Sequence, residues 1–268
     1  MEKLKKGILS EGFALEYRTT KVFEELNFDV LPNQSFQDAN SDKNCEIDLI
    51  AMNKINGSKG LFVLECKGTS SKNKLILIES YEKPGKLPNY CFRNFSSENQ
   101  IVFYYDFIDL GQQASPLVTY TGDFFKPDGS RVSKNETKSN FFKGVNQLLD
   151  GMSAYLYHIS RDKKSNKDEY FCYPCIVTNA EILVAQFTGG PSDVQPKLSK
   201  VPWAIYQNFE TYSEGFLNAC TWRDGQASGT ERVKKSLPYI WIVNIENISK
   251  FSELPTGSLN YDDEPRFE

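Results

Sequence analysis

Of the 268 residues, 40% are hydrophobic and 25% are charged, with nineteen Phe and fourteen Tyr. These proportions exclude a disordered chain, and the length is ample for a sizeable core. A formal net charge of −4 argues against a protein that holds nucleic acid through overall basic excess, and leaves that task to local basic surfaces.

Three such clusters are present: Lys3, Lys5 and Lys6; Arg161, Lys163, Lys164 and Lys167; and Arg232, Lys234 and Lys235. The C-terminal stretch from Asp262 to Glu268 is acidic. Each cluster taken alone reads first as a solvated loop. No run approaches the roughly 18 consecutive apolar residues of a membrane span. Met1 to Lys6 lacks the apolar stretch of a secretory signal, so the expected location is cytoplasmic, away from membranes. Six cysteines fit that setting. Cys45, Cys66, Cys172 and Cys175 fall in apparent strands, as small buried residues do. Cys172 and Cys175 form a lone C-x-x-C, and the single histidine, His158, leaves a zinc site short of ligands. No nucleophile motif accompanies His158, which speaks against Ser-His-Asp or Cys-His catalysis.

In chain order, apolar residues at helical spacing predict a helix from about 7 to 27, with Ile8, Gly12, Leu15, Thr19, Val22, Phe23 and Leu26 on one stripe. Asn27 fits its end. Glu16 sits at the edge of that stripe, where a glutamate is ordinarily exposed and paired to a neighbour. Residues 28–36 read as extended, interrupted at Pro32. Residues 37–44 form a loop, and 46–52 a strand. Residues 53–60, with Asn56-Gly57, read as a hairpin connection, and 61–67 as a second strand. Residues 69–138 read as an inserted β-rich element with extended pieces at 75–78, 101–110 and 117–120. Its aromatics are expected to form its own small core, with base-stacking platforms as the functional alternative. Periodicity predicts a helix over 139–157 capped by Ser139, then a charged loop over 161–168. Strands follow at 170–178 and 181–187, read as a hairpin across Asn179-Ala180, and a loop over 189–200. Strands are expected at 203–209 and 239–245, a helix at 212–220 and a short terminal helix at 247–254. The order of helix, three strands, insertion, helix and strands gives an α/β or α+β class, with a mixed central sheet flanked by helices in a single domain over 1–268.

Within that order, Cys45-Glu46-Ile47-Asp48-Leu49-Ile50-Ala51 and Leu61-Phe62-Val63-Leu64-Glu65-Cys66-Lys67 place three charges where strands should be apolar. Strand side chains alternate between faces, so Glu65 and Lys67 share one face and Cys66 takes the other. A buried charge is costly unless paired or bound to a metal. Asp48 and Glu65 on neighbouring strands supply the hard oxygen ligands that Mg²⁺ prefers. Lys67 can orient an attacking water and stabilise phosphate charge, and Glu16 can add a third carboxylate. A structural Glu–Lys pair with Asp48 opening a turn would also place these charges, but it explains poorly why Asp48 lies amid Ile47, Leu49 and Ile50.

These residues resemble the PD-(D/E)xK nuclease superfamily, the restriction-endonuclease-like fold, and within it Mrr-like and related defence nucleases. The resemblance rests on Gly12-Phe13-Ala14-Leu15-Glu16 on the first helix, then Glu46-Ile47-Asp48, then Glu65-Cys66-Lys67 seventeen positions beyond Asp48. It covers 8–68 well and 139–187 loosely. Ile47 replaces the family's proline, and the 69–138 insertion is long for the family. Some members carry a Gln and a Lys three apart on the second helix. Here Gln147 is followed by Asp150, so that role is not carried over. The resemblance implies a Mg²⁺-dependent endonuclease, with Mn²⁺ as a substitute, that hydrolyses phosphodiester bonds, most naturally in DNA. It implies Asp48 and Glu65 as metal ligands, Lys67 serving the water, Glu16 in support, a role in restriction or phage defence, and a homodimer as one assembly. The alternative is a non-catalytic nucleic-acid- or protein-binding module on the same fold. A plain structural α/β domain is the third reading.

Overall fold

The computed structural model describes residues 12–37, 44–55, 58–69, 72–79, 87–95, 100–108, 117–132, 140–161, 169–189, 193–207, 220–221 and 239–258. Helix α1 (Phe13–Glu25) is followed by β1 (Asp29–Gln37), β2 (Asn44–Ile55) and β3 (Ser58–Lys67). Next come β4 (Lys74–Glu79), β5 (Leu87–Phe95), β6 (Gln100–Ile108) and β7 (Leu117–Phe125), then the long helix α2 (Asn140–Arg161). The chain continues through β8 (Glu169–Thr178), β9 (Glu181–Thr188), β10 (Gln195–Val201), β11 (Trp203–Gln207), β12 (Cys220–Thr221) and β13 (Tyr239–Asn244). A 3-10 turn (Ile245–Asn247) leads into α3 (Ile248–Ser258).

The expected α/β class and mixed sheet are present, and the helix–three strands–helix–strand order holds. α1 buries Leu15, Thr19 and Phe23. It ends where Asn27 adopts φ 61, which lets Phe28 N donate to Phe23 O at 3.0 Å. This is the left-handed close that asparagine tolerates. Several boundaries differ from expectation. β1 runs unbroken through Pro32, because β1 ends the sheet and an edge strand tolerates a missing N–H. β2 and β3 extend to Ile55 and from Ser58, so the link between them is shorter than predicted. β5 was not foreseen as a strand, and α2 continues to Arg161. Residues 195–201, expected as loop, form β10. Its side chains are almost all exposed, so no apolar alternation announced it. The predicted helix at 212–220 lies outside the described residues apart from Cys220, which belongs to β12. The basic clusters also lie outside them, except Arg161.

All thirteen strands among the described residues join one mixed sheet. Its main path is β1-β2-β3-β8-β13-β11-β7-β4-β9-β10, and β5, β6 and β12 branch from β8. The segment expected as a separate inserted element is therefore woven into the sheet: β4 lies between β7 and β9, and β5 pairs with β8. β1-β2-β3 is an antiparallel meander, and β3 pairs parallel with β8 from Lys59↔Tyr170 to Lys67↔Thr178. The expected β8–β9 hairpin does not form. The second edge of β8 is already taken, by β5 in its first half and β13 in its second. β13, β11, β7 and β4 stand between β8 and β9. Five strand spacings would cover about 24 Å in a flat sheet, whereas the two residues Asn179 and Ala180 span at most about 10 Å. The sheet must therefore bend round so that β9 starts beside the end of β8.

The bend makes two cores. On the inner side, Phe141, Val145, Leu148, Leu149, Met152 and Tyr155 of α2 pack on Ile50, Leu61, Val63, Ile176 and Ile242, and on Leu77 and Val184 from the far part of the sheet. On the outer side, α1 and α3 bury Leu15, Phe23, Ile248 and Phe251 against Leu49, Phe62, Leu64, Tyr173, Val177 and Val243. Cys172 faces the inner core and Cys175 the outer, so the C-x-x-C pair cannot chelate one ion. Cys45, Cys66, Cys172 and Cys175 are all buried. No helix among the described residues is long and apolar enough to cross a membrane.

Candidate active site

Two irregularities in β2 set up the site. The β1–β2 register passes from Pro32↔Leu49 to Gln34↔Ile47, skipping Asn33 and Asp48, and Asn33 has φ 50. The face alternation slips at the same place. Leu49 belongs to the outer core, yet Ile47, two residues away, joins the inner one. The β2–β3 ladder ends at Leu49↔Leu64. Just past that end, Asp48 Oδ2 accepts the Cys66 backbone N–H at 2.7 Å. The carboxylate thus takes over where the ladder stops and is held against the closing turn of β3.

Alternation along β3 holds as predicted. Leu61 and Val63 face the inner core, while Phe62, Leu64 and Cys66 face the outer. Glu65 and Lys67 therefore face α2. Lys67 Nζ donates to Glu65 Oε1 at 2.5 Å and to Gln147 Oε1 of α2 at 2.8 Å. Gly144, one turn before Gln147, makes room for the lysine: a Cβ there would stand 2.5 Å from Lys67 Cε and 2.9 Å from Cγ. Gly151 does the same for the helix as a whole, since its Cβ would stand 2.5 Å from Ile47 Cγ1 and 3.0 Å from Glu46 O. Cys66, on the outer face, donates its S–H to Thr19 Oγ1 at 3.7 Å, which ties β3 to α1.

Glu16 reaches the same end of the sheet from α1. Its Oε1 lies 3.1 Å from where a Gly12 Cβ would be, and Gly68 passes Gly12 closely enough that a Cβ on Gly68 would touch Gly12 Cα at 3.5 Å. Beyond Lys67 the chain is pinned to the β8–β9 corner. Thr178 Oγ1 donates to Lys67 O at 3.0 Å. Asn179 Nδ2 donates to Thr69 O at 2.6 Å, and Thr69 N donates to Asn179 Oδ1 at 2.9 Å.

Burial raises all three carboxyls. Glu65 is 2% exposed, and desolvation, then the charge of Asp48, lift it to about 7 despite Lys67. Asp48 is raised by burial, against the pull of the Cys66 N–H and Lys67. Glu16 is raised by burial and by Asp48, against Lys67. The Cys66 thiol is pushed well up by burial first and Asp48 second, so it is no nucleophile.

The structure thus brings Glu16, Asp48, Glu65 and Lys67 to one place and adds Gln147, which the sequence reading set aside for want of a lysine three residues on. What marks Gln147 is its position one turn after a buried glycine, at the edge of the α2 stripe. Among the described residues, no three His, Cys, Asp or Glu side chains are gathered into a metal cage. Two neighbouring carboxylates nevertheless match the few protein oxygens on which a hard divalent cation relies when waters and a phosphate complete its shell. Glu65, whose affinity for protons burial and Asp48 both raise, is also part of a donor set that a cation would relieve. His158 lies on α2 with its ring 5.3 Å from Phe36, away from these groups. Compared with protein-family models, curated proteins and solved structures, the chain matches none.

Proposed function

We propose that this chain is a metal-dependent nuclease of the PD-(D/E)xK kind, built on a restriction-endonuclease-like core, that hydrolyses phosphodiester bonds in nucleic acid, with DNA as its target. The observation that supports it most is Lys67, held between Glu65 and Gln147 beside Asp48. A lysine placed only for stability does not need a glycine cut out of the facing helix to admit it.

Asp48 and Glu65 would hold Mg²⁺, or Mn²⁺ in its place, which when bound supplies Lewis acidity at the phosphoryl oxygen. The chain's own residues do the rest. The Cys66 N–H fixes one Asp48 oxygen and leaves the other for a ligand. Glu65 and Gln147 take two of the three ammonium hydrogens of Lys67, and the third is directed to a water or a phosphate oxygen. That contact orients the attacking water and stabilises the charge that grows on phosphate. Gln147 limits the rotamers of a long side chain that would otherwise swing in solvent. Glu16 adds an oxygen acceptor at the mouth of the site. A role in restriction or phage defence is what the family resemblance contributes to this reading.

The test is cleavage of plasmid and of single-stranded oligonucleotides with Mg²⁺ or Mn²⁺. Wild type should cut, and Lys67→Ala and Asp48→Ala should lose at least about a hundredfold in rate, the scale of a single electrostatic or acid–base group. Full activity in both variants removes the assignment. The second reading, a non-catalytic binding module, draws on the same ion pair, because Lys67 already neutralises Glu65 without a metal. It predicts neither hydrolysis nor a thermal shift with Mg²⁺ or Mn²⁺ beyond that of general salt.

A further inference from the structure

α1 carries two side chains that neither the core nor the carboxylate site uses. Phe13 and Tyr17 lie four residues apart, so their rings are neighbours on one helix face. They are 65% and 64% exposed, more than any other large apolar side chain among the described residues. The helix buries its Leu15–Thr19–Phe23 stripe and needs neither ring for packing. Glu16 lies between the two features, directly before Tyr17 and one turn after Phe13. Its carboxylate turns back toward Gly12, at the end of the helix that carries Phe13. Phe13 therefore shares the first turn of α1 with the group that reaches toward the site, and Tyr17 follows that group directly. One turn further, Lys21 sets its Nζ 5.6 Å from the Tyr17 ring centroid while pairing with Glu24.

We propose that Phe13 and Tyr17 form a stacking platform for two successive unpaired bases, so that the strand to be cut is presented to Lys67 and Glu65 single-stranded or locally opened. This inference rests on the nuclease reading. The chemistry favours bases over other occupants. Aromatic side chains bury about 150–250 Å² each, so two rings fall short of the roughly 800 Å² per partner that a stable protein interface needs. The surface round them is charged: Arg18 pairs with Glu246 at 2.8 Å, and Lys21 with Glu24. A base needs only a ring face, and Lys21 adds a cation for the phosphate that links two bases. Bases inside a duplex keep their faces covered by their neighbours and cannot use the platform unless they are opened out.

The experiment uses the full chain carrying Lys67→Ala, with chelator present so that binding is read without hydrolysis. Fluorescence anisotropy compares a labelled oligodeoxynucleotide as a single strand and as a duplex. The single strand should bind more tightly. Phe13→Ala and Tyr17→Ala should each weaken it by roughly 5- to 150-fold, Tyr17→Phe should retain it, and duplex affinity should stay unchanged. Abasic positions should abolish the difference between Tyr17→Ala and its parent. Leu198→Ala, which removes an exposed apolar residue on the opposite edge strand, should change nothing.

Equal affinity for both forms with no effect of the alanines overturns the proposal. So does a change in sedimentation from dimer to monomer with strand binding intact, which would make a second copy the occupant. A marked fall in melting temperature in the alanine variants also overturns it, since the chain itself would then cover the rings. Hydrolysis by wild type, lost in Lys67→Ala, separately tests the nuclease reading. Duplex cutting that ignores both rings leaves the nuclease standing without the platform. Ring-dependent strand binding with no hydrolysis leaves the platform standing without the nuclease.

Discussion

Replacing Glu65 by glutamine in the metal-free protein should stabilise it at alkaline pH, the opposite of what losing an ion pair usually does. The carboxyl is almost wholly buried, and desolvation, then Asp48, raise it from 4.5 to about 7 even with Lys67 attached. A raised acid contributes stability that is fully present below its unfolded value and is lost as pH climbs through the folded one. Between pH 4.5 and pH 8 the wild type should therefore give up on the order of 3 kcal/mol through this one group. Asp48 and Glu16 are raised as well and deepen the loss in the same direction. Glu65→Gln keeps the shape and a hydrogen-bond acceptor for Lys67 while removing the charge, so its stability should fall over that range only through Asp48 and Glu16. Urea denaturation in chelator at pH 5 and pH 8 reads the difference. The variant should match wild type at pH 5 and exceed it by about 2–3 kcal/mol at pH 8. Adding Mg²⁺ at pH 8 should close the gap from the wild-type side, by about 2.7 kcal/mol at a hundred times the dissociation constant. A variant that loses stability equally at both values would show that the Lys67 pair outweighs desolvation, and the electrostatic reading of the site would fall.

Gly144→Ala puts a methyl into the space of Lys67 Cε and Cγ while improving helix propensity by up to about 1 kcal/mol. Circular dichroism melting should show stability kept or raised, and cleavage should drop at least about tenfold, the size of one misplaced catalytic group. Gly151→Ala meets the Glu46 carbonyl at 3.0 Å as well as Ile47, and backbone cannot step aside. The urea midpoint should fall by an amount equivalent to about 1–3 kcal/mol. Asn179→Ala removes both bonds to the Thr69 backbone. It should cost about 1–3 kcal/mol and speed hydrogen exchange at the Thr69 amide, whereas an unchanged rate would show that the corner is held by other contacts.

The period-two spacing of Glu65 and Lys67 needed no partner to be read, because alternation along a strand is a property of the strand itself. The stripe of α1 and its end at Asn27 were legible for the same reason. β10 was not, since a strand whose side chains meet only water has no apolar pattern. The β8–β9 turn misled, because two residues between strands signal a hairpin only while the strand edges are free, and both edges of β8 are taken by strands distant in sequence. The slip at Asp48 is a tertiary event: nothing in Ile47-Asp48-Leu49 shows that the ladder will stop there. Gln147 escaped notice because it was matched against a pattern, whereas its meaning lies in reach across from α2 to a lysine eighty positions earlier.

The parallel pairing of β3 with β8 has a consequence for the newly made chain. Lys67 leaves the ribosome long before its anchors: Gln147 follows eighty residues later and Thr178, which holds the Lys67 carbonyl, 111 residues later. At about 5–20 residues per second of synthesis, the β1–β3 meander exists for several seconds without the contacts that Gln147 and Thr178 later make to Lys67. The arrival of α2 and then β8 completes the set. Under the nuclease function proposed above, this order keeps a half-made chain harmless and ties the onset of cutting to completion of the sheet.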